Sequence, residues 1–162
     1  MNEFKNKDEE GREVFKGFCQ HTKWCKYIKG SQDEFASWDV AYMSGTTNVI
    51  GEIKMRNYES QDYCDGWYLE KKKLAELHKI RNKVIASGKP APVIHYINLY
   101  PNNRIIIWDV TDLDAVTTIH NIVATTFGST HKIEKEMYSL PNFASVFNDN
   151  ITQLKIGRDS NL

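Results

Sequence analysis

Apolar residues fall along this chain with two different periods, and the change from one to the other marks out its elements. From about Lys7 to Trp24, Val14, Phe15 and Phe18 recur at near-helical spacing behind the acidic turn Asp8-Glu9-Glu10, which suits the positive end of a helix dipole. From Tyr27 to Met43 the period shortens to two around the break Gly30-Ser31-Gln32-Asp33, and Ser37, Asp39 and Ala41 alternate with Trp38, Val40 and Tyr42. A turn-rich stretch, Ser44-Gly45-Thr46-Thr47-Asn48, leads into a second strand-like segment through Arg56.

After a polar connection from Glu59 to Gly66, the spacing of Leu74, Leu77, Ile80 and Val84 predicts a helix from about Trp67 to Ser87. Ser87-Gly88-Lys89-Pro90 ends it. Two buried-type strands follow, Val93 to Tyr100 and Arg104 to Val110, joined by the turn Pro101-Asn102-Asn103. Thr111 to Thr130 reads either way: Asp112-Leu113-Asp114 could cap a short helix, while the Thr, Ile and Val content favours strand. Lys132 to Leu140 reads as one more strand, and the tail after Ile151 is polar.

At 162 residues the chain can bury a core without disulfides or a structural metal. We expect one domain, with a core at about 8–110, an extension at 111–150 and a tail at 151–162. Formal net charge is zero, so any basic surface must be local. Such a surface exists between Glu70 and Lys89, where seven Lys or Arg face two Glu. The charged start, MNEFKNKDEEGRE, and the lack of any apolar run of membrane-spanning length lead to the expectation of a soluble, cytoplasmic protein. Cys19, Cys25 and Cys64 form no CxxC pair and argue against a disulfide framework. Cys19, His21 and Cys25 match no common zinc-finger spacing, and the simpler reading is free thiols.

Candidate chemistry gathers between Trp38 and Arg56. In an extended chain Glu52 and Lys54 share one face and Ile53 takes the other. If the two segments pair as a hairpin, Asp39 approaches that same face. Two carboxylates held close repel unless a cation lies between them, and oxygen donors suit a hard divalent ion such as Mg²⁺. The alternative for Glu52 and Lys54 is a surface ion pair contributing little to stability.

The order of helix, strand with Asp39, turn, strand with Glu52-Ile53-Lys54, basic helix and strand resembles the PD-(D/E)XK nuclease superfamily. The resemblance covers roughly residues 8–110; Asp39 and Glu52 stand thirteen positions apart, and Trp38 replaces the proline that names the motif. It implies an α/β (α+β), restriction-endonuclease-like αβββαβ core, a central mixed β-sheet flanked by helices, here with extra C-terminal strands. It also implies a metal-dependent nuclease hydrolysing phosphodiester bonds of DNA, with Mg²⁺ as cofactor and Mn²⁺ as a substitute. By that resemblance Asp39, Glu52 and the backbone carbonyl of Ile53 hold the metal, and Lys54 orients or activates the attacking water. Glu10 or Glu13 on the first helix could add an acid, and Arg56, Lys71, Lys72 and Lys73 are candidates for nucleic-acid contact. Superfamily enzymes that cut both strands often form a homodimer. A second reading keeps the fold as a nucleic-acid- or protein-binding module without catalysis; the complete D…ExK set favours the first.

Overall fold

The computed structural model describes residues 3–32, 36–56, 66–113, 117–123 and 132–151. Its elements are α1 (Glu3–Thr22), β1 (Lys26–Gly30), β2 (Val40–Ser44), β3 (Thr47–Met55), β4 (Gly66–Glu70), α2 (Lys71–Ala86), β5 (Val93–Leu99), β6 (Arg104–Asp109), β7 (Thr117–Val123), β8 (Lys132–Pro141) and β9 (Phe147–Asn150). A 3₁₀ turn at Asn142–Ala144 links β8 to β9.

Two sheets result. The larger runs β1-β2-β3-β5-β6-β9 and the smaller β4-β8-β7. In the large sheet β1, β2 and β3 form an antiparallel meander, and β5 returns parallel to β3. Parallel neighbours require a long crossover, and α2 lies within this one. Apart from β4, which precedes α2 and belongs to the small sheet, the αβββαβ order and the central mixed sheet flanked by helices are present, with β6 to β9 as the extra C-terminal strands.

The apolar periods explain which face each helix covers. On α1, Phe15, Phe18 and Cys19 are buried and pack with Val40, Tyr42, Val49, Ile53 and Ile97 on one face of the sheet. On α2, Leu74 and Leu77 pack with Ile50, Ile94, Tyr96, Ile106 and Trp108 on the other. Alternate residues of β3 thus feed two cores, and β5, buried from Ile94 to Leu99, has no solvent face. The β2–β3 hairpin pairs Ser44 with Thr47, and Gly45 at φ 60° supplies the positive φ that so tight a turn requires.

Two expectations need correction. Trp67 to Glu70 do not begin the second helix; they form β4 and pair antiparallel with Met137 to Leu140 of β8. The physical reason is visible in the side chains: Leu69 is buried and Tyr68 exposed, a period of two, and the aromatic residues suit a pleated surface. Cys19 and Cys25, expected as free thiols, are joined as a disulfide between the last turns of α1 and the start of β1. Within the ambiguous region, Thr117–Val123 is strand, paired with β8. Tyr58, Tyr63, Cys64 and the tail from 152 lie outside the described residues.

Candidate functional site

The hairpin register decides whether the motif acids meet. Val40 pairs with Gly51, so Asp39, one residue before β2, falls opposite Glu52. The Asp39 amide donates to Gly51 O at 2.9 Å, the last backbone rung between the two segments. Beyond it the Ile53 amide donates to Asp39 Oδ2 at 2.7 Å, so a carboxylate replaces a neighbouring strand. Within a strand the N–H and C=O of one residue point to the same side, which directs the Ile53 carbonyl into this same opening.

Glu52 lies on the opposite side chain face from Ile53, beside Tyr96 of β5, and is only 3% exposed. Its oxygens are clamped by two ammonium groups: Oε1 lies 3.1 Å from Lys54 Nζ and Oε2 lies 3.1 Å from Lys73 Nζ. A buried acid shared by two lysines is not the surface ion pair that the strand pattern left as the alternative. Lys54 keeps about half of its side chain in solvent. Burial works to lower its pKa, but the charge of Glu52, aided by Tyr96 and Asp39, outweighs that and raises it. The amine is thus charged in this state.

Asp39 titrates unusually high. Burial, then the charge of Glu52, pushes its carboxyl up to about 7, against the lowering effect of the Ile53 hydrogen bond and Lys54. Helix α1 presents Arg12 to it, with Nη1 at 3.7 Å from Oδ1, beyond a good hydrogen bond. Asp8, on the same helix, adds a further negative charge that acts on Asp39. Glu13 is exposed, and its charge acts on Tyr27 of β1; Glu10 is half-buried. Among the described residues no group of three or more His, Cys, Asp or Glu stands together as a metal site.

The residues present fit a hard divalent cation nonetheless. Two carboxylates, one of them raised first by burial and then by the charge of the other, together with a carbonyl aimed at the same gap, form an all-oxygen donor set that added positive charge would relax.

Lys54 opens onto a cleft of about 1010 Å³ between the large sheet and the small one, lined by Arg56, Trp67, Tyr68, Lys71, Lys72, Lys73, Tyr96 and Lys135 among others. The guanidinium of Arg56 sits 4.0 Å from the centre of the Trp67 ring and donates to Tyr96 Oη at 2.8 Å, while its Nε is buried without a hydrogen-bond partner among the described residues. Lys135 is held by Glu70 at 2.8 Å and Lys71 by Glu136 at 3.6 Å. The four cations singled out from the sequence, Arg56, Lys71, Lys72 and Lys73, all line this cleft.

His95, on β5 next to Tyr96, does not reach the site. It pairs with Gly51 in the sheet, and its ring lies on the α1 face, where Nδ1 and the Tyr42 hydroxyl share a hydrogen bond and Trp24 packs 6.2 Å away. Sequence reasoning also missed the grip of Lys73 on Glu52. The available signal was the run Lys71-Lys72-Lys73 in a helix whose first turn holds no acid, the reverse of what the helix dipole favours.

No family model matches the chain, and no curated protein matches it. Among solved structures the chain is similar to Hjc, a Holliday junction resolvase from the archaeal hyperthermophile Archaeoglobus fulgidus, with a TM-score of 0.45 and 11% identity over 81% of this chain and 87% of that one. No helix among the described residues is long and apolar enough to cross a membrane.

Proposed function

We propose that this protein is a Mg²⁺-dependent nuclease that hydrolyses phosphodiester bonds of DNA. The observation that carries this reading is the meeting of Asp39 with Glu52 where β2 and β3 part, beside Lys54 at 3.1 Å from Glu52. Asp39, Glu52 and the Ile53 carbonyl would hold the ion, which when bound lowers the pKa of water and offsets charge developing on the phosphate. Lys54, charged and half in solvent, sits where it can orient a water by donation and stabilise negative charge on a phosphoryl oxygen. Arg56 and the lysines of the first turn of α2 supply the contacts that position a polyanionic backbone without reading its sequence.

A binding module without catalysis is the second reading, and one observation favours it: both oxygens of Glu52 already have cationic partners. Incubation of the purified protein with plasmid, linear duplex and single-stranded DNA, with and without Mg²⁺ or Mn²⁺, separates the two. The nuclease predicts metal-dependent cutting that is lost in Lys54→Ala. No cutting on any of these substrates with either metal overturns it.

A further inference from the structure

Lys73 holds an unusual place for a surface helix lysine. It is the third residue of α2, where the helix dipole presents positive charge and where Lys71 and Lys72 add more. The start of the helix does not favour an ammonium at that point: the first turn contains no acid, Glu70 at the N-cap makes no capping hydrogen bond, and the nearest acid within the helix is Glu76, one turn on. The side chain nevertheless turns inward, 24% exposed, and ends 3.1 Å from Glu52 Oε2. Glu52 keeps it there. A carboxylate 3% exposed requires a positive partner, and with Lys54 on Oε1 the second oxygen is satisfied by Lys73.

Both oxygens of Glu52 are therefore answered by ammonium groups without any ion. Asp39 and Glu52 are answered by Lys54, Lys73 and, at 3.7 Å, Arg12. A divalent cation entering this site on its own meets a carboxylate already occupied and ammonium groups that repel it. It can take Oε2 only if Lys73 leaves, and Lys73 can leave cheaply only if another anion receives it. The cleft into which Lys73 would swing is lined by Arg56, Lys71 and Lys72 and by three acids, of which Glu70 and Glu136 already pair with Lys135 and Lys71, leaving Glu76.

We propose that Lys73 is an internal counter-ion of Glu52 that holds the metal site shut until a phosphodiester backbone in the cleft draws the ammonium away, so that cation and nucleic acid bind together, each strengthening the other. This rests on the nuclease reading given above. Linkage makes the effect reciprocal: the factor by which nucleic acid tightens cation binding equals the factor by which the cation tightens nucleic-acid binding.

The test is Mn²⁺ titration by calorimetry on the full chain, alone and with a phosphorothioate-substituted DNA duplex that resists cutting. Wild-type protein is expected to bind Mn²⁺ weakly alone and at least about fivefold more tightly with the duplex, within the range of ordinary coupling factors. Lys73→Gln should bind Mn²⁺ alone at least as tightly as wild type does with the duplex, and the duplex should then add little. Lys73→Arg keeps the charge and should bind Mn²⁺ alone no better than wild type, which guards against a general effect of altering the helix. If Lys73→Gln binds Mn²⁺ no more tightly than wild type while Glu52→Gln abolishes binding, the counter-ion role is wrong and the metal site stands. If Glu52→Gln binds Mn²⁺ as wild type does, the metal site is misplaced and both readings fall.

Discussion

Asp39 Oδ2 accepts a hydrogen bond from the amide of Ile53 at 2.7 Å, so one side chain both closes the sheet and carries a charge that feels Glu52. The two duties can be separated. Asp39→Asn keeps an oxygen acceptor for that amide and removes the charge; it should fold with little loss of stability yet reduce metal-dependent cutting to background. Asp39→Ala leaves the amide unpaired and should cost about 1–3 kcal/mol in addition. Urea unfolding beside a cleavage assay checks both, and equal stability of the two variants would sink the structural half.

Gly51 marks the last rung of the hairpin before that opening. A Cβ there would lie 3.0 Å from Val40 Cγ2 and 3.1 Å from Ile97 Cδ1, both within packed strands. Gly51→Ala should therefore destabilise the protein by about 1–3 kcal/mol through overpacking. It should also weaken Mn²⁺ binding, because β2 carries Asp39 and must shift. Denaturation together with calorimetry reads the two effects on one variant.

His95 gives a pH dependence whose sign is fixed by burial. Burial pushes its pKa down to about 4, against 6.5 for an ordinary histidine, despite the opposing charge of Asp109. Between these values the unfolded chain binds the proton and the folded one does not, so stability falls as pH drops from about 6.5 to about 4, by about 3 kcal/mol in full. Asp39, pushed up to about 7, works in the opposite sense over a similar window. The measurement thus belongs in an Asp39→Asn background, comparing urea midpoints with and without His95→Gln. The acid loss should be present with His95 and largely absent without it.

The cleft lysines should show themselves in salt dependence. Lys72 is exposed and lines the cleft, whereas Lys89 lies beyond the far end of α2 and does not. Lys72→Ala should weaken duplex DNA binding and lower the slope of log affinity against log salt by about one, with Lys89→Ala leaving the slope unchanged. Fluorescence anisotropy at several NaCl concentrations would reveal equal slopes if the backbone does not pass over α2.

Much of this architecture was legible because it is local. The helical stripe of Phe15 and Phe18, the turn at Gly45 and the continuous apolar run of β5 each follow from spacing within a few residues. The meeting of Asp39 with Glu52 followed from one pairing assumption, which the Val40 to Gly51 register satisfies. Apart from the Cys19–Cys25 disulfide, what escaped was non-local. Trp67 to Glu70 sit directly before a strong helix, and only the distant β8 makes them a strand. His95 shares a strand with Tyr96, but the pleat sends the two rings to opposite faces. Lys73 resembles its neighbours in sequence, and its distinction comes from Glu52, twenty-one positions earlier across a crossover.

The parallel pairing of β3 with β5 also sets a timetable for a chain leaving the ribosome. The β2–β3 hairpin can close as soon as its own residues emerge, bringing Asp39 and Glu52 together in open water. Glu52 acquires Tyr96 as its strand neighbour only after α2 and β5 have been made and docked, since parallel strands cannot join through a short loop. The half-synthesised protein thus carries Asp39 and Glu52 without the walls of the neighbouring cleft, and the proposed chemistry would wait until the chain has reached at least β5.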